Sequence, residues 1–261
     1  MRVPILLYHV VGAAAEGTPE AFYAVARAAF AEQMAYLAQR GCHAVSLEAL
    51  ADWVAGRGAL PERAVAITFD DGDVTQSGVA VPMLQEHGFQ ATFFVTAARV
   101  GQPGMMGWDD VRHVETAGMV VGSHGLTHRL LTELTVDEVR RELMESKRLL
   151  EVHLTRPVQW FAFPGGAWSD GMSPLVAEAG YRGAVTSDIG YVMRGDADRW
   201  WPRCVMRSAD GVSRLATLLD APSWFLWRER MGQRALRVAR RMIGMQRYEA
   251  LKRRLVRRSH S

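Results

Sequence analysis

Cysteine is scarce in this chain of 261 residues, which contains only Cys42 and Cys204. Two cysteines so far apart in sequence form neither a CxxC metal or redox motif nor the dense disulfide framework of small secreted domains. We therefore expect a fold held together by its hydrophobic core, and a reducing, cytoplasmic location.

Long apolar runs are also missing. No stretch approaches the roughly 18 consecutive apolar residues of a membrane span. The segment from Met1 to His9 has one basic residue and too short an apolar run for a signal peptide, and we interpret it as a first strand. A hydrophobic content of 49% and a charged content of 23% are typical of a soluble globular protein.

The small net charge of +3 conceals an uneven distribution. Residues 226–261 contain 12 Lys and Arg but only 2 Glu, so the rest of the chain is acidic. Apolar residues alternate with these arginines in a pattern typical of a basic amphipathic helix. We therefore divide the chain into a globular domain at residues 1–222 and a basic helical tail at residues 223–261.

Three interpretations of this tail remain open. It could lie on an anionic membrane surface, bind an acidic partner or nucleic acid, or pack on the globular domain and expose its charges. We favour peripheral contact with the anionic inner face of the membrane, and we do not expect nucleic acid to be the partner.

Predicted strands and helices alternate at least five times along the globular domain. This alternation is typical of parallel strands with helices outside, either in an open sheet or in a barrel. The helix predicted over Val136–His153 is the longest, and Thr135 and Glu138 form a capping box at its start. An earlier helix is predicted to begin at Thr18-Pro19-Glu20, with Thr as the N-cap and Pro at the first helical position.

Polar residues follow several of the predicted strands. Asp70 and Asp71 end the apolar run that begins at Ala64, and His124 follows another short run. His9 comes directly after the first predicted strand. Because the carboxyl ends of parallel strands meet at one edge, we expect these side chains to share a site.

Taken alone, each of these patterns also has an interpretation without a functional role. Asp70-Asp71-Gly72 could be a surface turn, and His124 and His128 could be two unrelated surface histidines. Taken together, two imidazoles and a carboxylate match the ligands of catalytic zinc, which leave positions open for water and substrate. The sequence therefore predicts a metal site.

The chain resembles the polysaccharide deacetylase family, also called the NodB homology domain or carbohydrate esterase family 4. The resemblance covers about Val3 to Arg207. It rests on the motifs Thr68–Gly72, Ser123–His128 and Phe161–Gly166, with support from Tyr8-His9 and Trp108-Asp109. The third motif has the Phe-Ala-aromatic-Pro form of one branch of the family. The resemblance implies a deformed (β/α)7 barrel and metal-dependent removal of acetyl groups from N-acetylated sugars.

The same resemblance implies roles for individual residues. Asp71, His124 and His128 would bind a divalent metal, with Zn²⁺ the expected ion, and Asp70 would be the general base. Backbone N–H groups around the Phe163–Gly166 segment would stabilise the oxyanion that forms on the acetyl carbonyl.

Two departures from the family pattern concern the catalytic residues. The arginine that many members carry in the third motif is absent, and we predict that Arg203 replaces it beside Asp70, although a surface arginine is an equal alternative. The usual Leu-x-His is also missing, because residues 215–220 contain no histidine. His9 is our candidate for the proton donor, and a purely structural histidine is the alternative.

We predict that Phe163, Pro164, Gly165, Trp108 and Trp201 contact the substrate. Sugar rings stack on aromatic side chains, although each tryptophan could equally serve as packing. The predicted function is N-deacetylation of an N-acetylhexosamine in a glycan or a lipid-linked glycan precursor. Hydrolysis of another C–N bond, such as a cyclic amide, and a degenerate glycan-binding protein without catalysis are the alternatives.

Overall fold

The computed structural model describes residues 1–14, 18, 20–196, 200–220, 228, 231 and 232. Almost all of the predicted tail at residues 223–261 lies outside the described residues, and so does the boundary proposed near residue 222. In the described part of the chain, the helices are Arg27–Gln39 (α1), Leu47–Val54 (α2), Val81–Glu86 (α3), Trp108–Thr116 (α4), Val136–His153 (α5), Ser173–Glu178 (α6) and Val212–Asp220 (α7).

The strands are Arg2–Tyr8 (β1), Val10–Val11 (β2), Ala24–Val25 (β3), His43–Ala44 (β4), Ala64–Phe69 (β5), Thr92–Val95 (β6), Val120–Ser123 (β7), Trp160–Ala162 (β8), Gly183–Val185 (β9), Tyr191–Met193 (β10) and Cys204–Val205 (β11). Short 3-10 turns connect several of these elements. Strands and helices alternate along most of the chain, as the sequence predicts.

A curled, mainly parallel sheet organises the molecule. Strands β1, β5, β6, β7, β8 and β9 lie side by side in that order. At the far edge, Trp201 forms a parallel bridge with Val185 of β9. A few residues later, β11 pairs in parallel with β1, with Cys204 opposite Leu6. The segment leading into β11 therefore joins the last strand to the first, and the prediction of a deformed (β/α)7 barrel is confirmed.

Alternation along the strands divides the hydrophobic core into two layers. One layer fills the space between the sheet and the helices and contains Phe69, Phe93 and Phe161. The other is formed by side chains from the opposite face of the strands, such as Phe94 and Trp160, and by helix α2. Burial of one such aromatic side chain contributes about 1.5–3 kcal/mol, so the strand ends rest on a rigid support.

The helix predicted to begin at Thr18-Pro19-Glu20 begins later, at Arg27. Ala24 and Val25 are extended and pair in parallel with Val10 and Val11. The backbone groups of Ala24 and Val25 therefore form hydrogen bonds in a sheet and cannot also form those of a helix. This strand pairing outweighs the helix-start pattern at Thr18-Pro19-Glu20.

The helices described here include none that is both long and apolar enough to cross a lipid bilayer.

Candidate active site

The chain turns sharply where β5 ends. Asp71 and Gly72 both adopt positive φ angles, of 76° and 86°. A non-glycine residue in this region is strained and is found disproportionately at functional sites. The N–H of Asp70 continues the sheet by donating to the carbonyl of Tyr8. The turn places two consecutive carboxylates at the end of the strand.

Three of the predicted residues converge at this edge. Asp71 Oδ1 lies 3.3 Å from His124 Nε2 and 3.1 Å from His128 Nε2. Within the described part of the chain, Asp71, His124 and His128 form the one group of three potential ligands whose donor atoms lie within 4.8 Å of one another. His124 is buried, whereas the other two are partly open to solvent.

The orientation of His124 is set by its other ring nitrogen. Its Nδ1 lies 2.9 Å from the carbonyl oxygen of Ala162. A carbonyl only accepts hydrogen bonds, so Nδ1 carries the proton and Nε2 keeps its lone pair for a ligand. Asp71 complements this arrangement. Burial alone would raise the pKa of its carboxyl, but the nearby imidazoles hold that pKa well below its usual range.

These three residues fit a divalent metal ion. The buried Asp71 Oδ1 has no hydrogen-bond donor among the described residues, so this carboxylate oxygen is left to an ion. Two imidazole nitrogens and one carboxylate oxygen are the ligand set of many catalytic zinc sites. The expected ligands therefore meet the geometric requirement of the predicted site.

Arg203 lies directly against Asp70. Its Nη1 and Nη2 each lie 2.6 Å from one oxygen of the Asp70 carboxylate, in a bidentate pair. Arg203 has no exposed surface, which is incompatible with the alternative of a surface arginine. It is further anchored by the carbonyl of Thr186 and lies over the ring of Phe94. Burial would raise the pKa of Asp70, but Arg203 holds that pKa below its ordinary value, so the carboxylate is ionised.

His9 lies beside the same carboxylates. Its ring stacks on Tyr23, with the ring centres 4.6 Å apart, and its buried Nδ1 has no hydrogen-bond partner among the residues described. Burial lowers the pKa of His9, while the charges of Asp71 and Asp70 oppose that shift. His9 is therefore at the site and has a ring nitrogen available.

The third motif, Phe161–Gly166, contributes backbone groups rather than side chains to the site. The Phe163 ring is buried against Phe161 and Trp200, so it belongs to the core and cannot contact a substrate. The N–H groups of Phe163 and Gly166 donate to carbonyls at Val185 and Phe163, and proline has no N–H. Gly165 is therefore the residue of this loop whose amide can point to a ligand.

Gly165 also has backbone features that require glycine. Its φ angle is 61°, and a Cβ at this position would lie 2.7 Å from Leu130. Gly125 lies between His124 and His128. A Cβ added to Gly125 would lie 3.5 Å from the side chain of Pro164, the neighbour of Gly165. The third motif therefore lies directly beside the loop that carries His124 and His128.

The two predicted tryptophans pack against other side chains. Trp108 stacks on His153, the last residue of α5, with ring centres 3.8 Å apart. Trp201 is buried against Trp160 in the core, so its ring is not accessible to a sugar. Trp168, just after the third motif, remains partly exposed and donates from its Nε1 to Asp188. Trp168 is the better candidate for a sugar platform.

Gln76 is a site residue that sequence reasoning missed. Its buried amide nitrogen donates to the carbonyls of both His9 and Asp70. Gln76 begins a short π-helical segment at Gln76–Ala80, a distortion that is frequent at functional sites. Hydrophobic periodicity carries no signal for such a turn, because a five-residue segment is too short to show one.

Glu142 was also missed. It lies on α5 and accepts hydrogen bonds from the backbone of Leu126 and Thr127, between the two histidine ligands. Here a signal was available, because Glu142 is a charged residue on the helix stripe formed by Val139, Leu143 and Leu150. A charge on an otherwise apolar stripe indicates a buried partner.

The comparisons with known proteins agree with this geometry. Residues 57–184 match the family model described as Polysaccharide deacetylase. The Poly-beta-1,6-N-acetyl-D-glucosamine N-deacetylase of Staphylococcus aureus is 24% identical over 213 residues, which are 76% of this chain and 72% of that protein. Over residues 57–184, the family predicted from the motifs is confirmed.

Two solved structures share the fold. IcaB from Ammonifex degensii is 27% identical, with a TM-score of 0.74 over 84% of this chain and 97% of its own. The Streptococcus pyogenes deacetylase PplD, solved in complex with acetate, is 22% identical, with a TM-score of 0.77 over 84% of this chain and 99% of its own.

Proposed function

We propose that this chain, whose residues 57–184 belong to the polysaccharide deacetylase family, is a metal-dependent N-deacetylase of N-acetylated glycans. The observation that carries the proposal is the convergence of Asp71, His124 and His128 beside the ionised Asp70. A carboxylate base next to an open three-ligand site is the arrangement that amide hydrolysis by water requires.

Asp71, His124 and His128 would hold the ion, and Zn²⁺ is the first candidate. A divalent ion at this position would make water a better nucleophile and polarise the acetyl carbonyl.

Asp70 is the proposed general base. One of its oxygens lies 3.9 Å from His124 Nε2, so the carboxylate borders the position of the ion. Its bidentate pair with Arg203 fixes the plane of the carboxylate and keeps it ionised. Asp70 would take a proton from the attacking water, which adds to the acetyl carbon.

The developing negative charge falls on the acetyl oxygen, and the amide N–H of Gly165 is the proposed donor to it. His9 is the proposed proton donor to the sugar nitrogen. The C–N bond then breaks, and the products are acetate and a free amine. Only a protonated His9 can donate. Burial lowers the pKa of His9, and the charges of Asp71 and Asp70 oppose that shift.

The substrate class follows from the relatives. The Staphylococcus aureus relative is, by its name, a deacetylase of poly-β-1,6-N-acetyl-D-glucosamine. We propose that this chain acts on N-acetylhexosamine units in a glycan or a lipid-linked glycan precursor. The partly exposed Trp168 provides an aromatic face for a sugar ring.

Acetate release is the test. The zinc-loaded and metal-free chains would be incubated with β-1,6-linked and β-1,4-linked N-acetylglucosamine oligomers, and with small cyclic amides. We expect acetate from at least one oligomer with the loaded chain and none with the metal-free chain. Opening of a cyclic amide without any acetate would replace this proposal by hydrolysis of another C–N bond. Oligomer binding without either reaction would indicate a glycan-binding protein.

A further inference from the structure

Helix α5 presents two polar side chains to the loop between the histidine ligands. Glu142 and Ser146 lie one turn apart on its buried face, and Glu142 is only 5% exposed. The same face carries Val139, Leu143 and Leu150, which pack in the core. A buried carboxylate is costly unless it is fully hydrogen-bonded, so its partners reveal its role.

Glu142 receives three hydrogen bonds from two consecutive residues. Its Oε2 accepts from the N–H of Leu126 at 2.8 Å and from the N–H of Thr127 at 2.9 Å. Its Oε1 accepts from the hydroxyl of Thr127. All three donors belong to the segment that separates His124 from His128.

Two residues of this segment adopt positive φ angles, and one of them carries a side chain. Gly125 has a φ angle of 80°, and His128 itself has a φ angle of 67°. For a residue with a side chain, the left-handed region costs roughly 1–2 kcal/mol. The conformation of His128 therefore requires surrounding contacts that hold it, and Glu142 holds Leu126 and Thr127, the two residues before it. A Cβ on Gly125 would lie only 3.3 Å from Glu142 Oε2, which shows how closely the loop rests on this carboxylate.

Ser146 anchors the other end of the segment. Ser123, the residue before His124, donates from its hydroxyl to Ser146 Oγ at 2.8 Å. Ser123 Oγ in turn accepts from the N–H of Gly125 at 3.2 Å. The loop is therefore attached to α5 at its beginning through Ser146 and at its middle through Glu142.

We infer that Glu142 is a positioning residue that holds His128 at ligand distance from His124, so that metal affinity depends on it. The inference rests on the proposed function because it concerns the same metal site. Residues behind metal ligands typically change metal affinity by about 10–100-fold when they are replaced.

Metal affinity of matched variants tests this inference. Glu142→Leu introduces an apolar side chain of similar size and removes both acceptor oxygens, and with them all three hydrogen bonds, whereas Glu142→Gln keeps an oxygen that can accept both N–H groups. Glu145→Leu, on the exposed side of the same helix, is the control. Each metal-free protein would be titrated with Zn²⁺ in competition with a chromophoric chelator. Thermal unfolding of the metal-free forms would report folding, and the absorption spectrum of the Co²⁺ form would report ligand geometry.

We expect Glu142→Leu to raise the Kd for Zn²⁺ by about 10–100-fold and to change the Co²⁺ spectrum. Glu142→Gln should remain close to wild type, as should Glu145→Leu. An unchanged Kd in a folded Glu142→Leu protein overturns the inference. If that variant does not fold, the exposed Thr127→Val decides, because it removes one of the three bonds. It should raise the Kd severalfold, and an unchanged Kd overturns the inference.

The outcome for the wild-type chain separates the two proposals. A wild-type protein that binds Zn²⁺ while Glu142→Leu binds it equally well contradicts the positioning role alone. A wild-type protein that binds no Zn²⁺ contradicts the proposed function, and the positioning role is lost with it.

Discussion

Arg203 comes from the segment that closes the barrel and pairs with Asp70, whereas the third motif has no arginine. The cost of burying Arg203 and Asp70 offsets most of their attraction, so a buried ion pair alone says little about stability. What the pair does provide is a fixed, ionised carboxylate beside the metal ligands. Its geometry therefore favours a catalytic reason for the burial.

The first prediction concerns this pair. Arg203→Lys keeps the charge but cannot form two parallel hydrogen bonds with Asp70, so the base loses its orientation. We expect kcat to fall by about 10²-fold, in line with the contribution of one acid–base group, with metal content unchanged. Acetate release and metal analysis would be compared with Arg182→Lys, whose arginine pairs with Asp52 at the surface. Wild-type kcat in Arg203→Lys would refute the role.

The second prediction concerns His9. If His9 protonates the leaving nitrogen, His9→Gln should lower kcat by roughly 10²–10⁴-fold while the chain still binds metal. His113→Gln is the matched control, because His113 is exposed on α4. A His9→Gln protein with full kcat would return His9 to the structural alternative and leave the proton donor to be found elsewhere.

At the scale of single helices and strands, the sequence predicted boundaries best where it contains residues that mark the start and end of the element. Helix α5 begins and ends where the sequence predicts, and the capping box of Thr135 and Glu138 is present. Strand β10 and helix α7 were missed, because their positions depend on pairing with β1 and packing against α1. An element whose boundaries are determined by tertiary contacts cannot be predicted from the propensities of a short stretch of sequence.

The capping box gives the third prediction. Thr135 Oγ1 accepts from the N–H of Glu138, and the Glu138 carboxylate accepts from the N–H of Thr135. Thr135→Ala should lower the free energy of unfolding by about 1 kcal/mol, because a backbone donor at the start of α5 loses its partner. Denaturant unfolding would measure this, with Thr132→Ala as a control. A loss near zero would mean that packing alone determines where α5 begins.

Gln76 gives a fourth prediction at the same scale. Gln76→Leu removes a side chain that joins the ends of β1 and β5, leaving the carbonyls of His9 and Asp70 without that donor. An unsatisfied buried acceptor costs about 1–3 kcal/mol, so a loss of unfolding free energy in that range is expected. Thermal unfolding would measure it. Wild-type stability and wild-type activity in Gln76→Leu would show that the hydrogen bonds of Gln76 to His9 and Asp70 are needed for neither.

At the scale of the whole molecule, the site is built from strands and loops distant in sequence. The sequence predicted that a carboxylate of the Asp70-Asp71 pair would lie with His124 and His128, because parallel strands bring their carboxyl ends to one edge, and the family resemblance selected Asp71. The side-chain directions of Trp108 and Trp201 could not be predicted, because a strand or helix start does not specify which face a bulky ring takes. Their packing on His153 and Trp160 is a property of the assembled core.

The basic segment of residues 223–261 leads to a fifth prediction. We propose that it contacts anionic membrane surfaces, which would bring the enzyme to lipid-linked substrates. The full chain should co-sediment with vesicles containing anionic lipid and remain in solution with neutral ones, whereas a chain ending before Trp224 should remain in solution with both. If both chains stay in the supernatant with anionic vesicles, the segment has another role.

Elemental analysis of bound metal tests the central claim most directly. The wild-type chain and the double variant His124→Ala/His128→Ala would be purified in parallel, reconstituted with Zn²⁺ and freed of excess ion. The account predicts about one ion per wild-type chain and its loss in the double variant, because two of the three ligands are removed. A wild-type chain that holds no metal after reconstitution would contradict the proposal that this chain is a metal-dependent hydrolase.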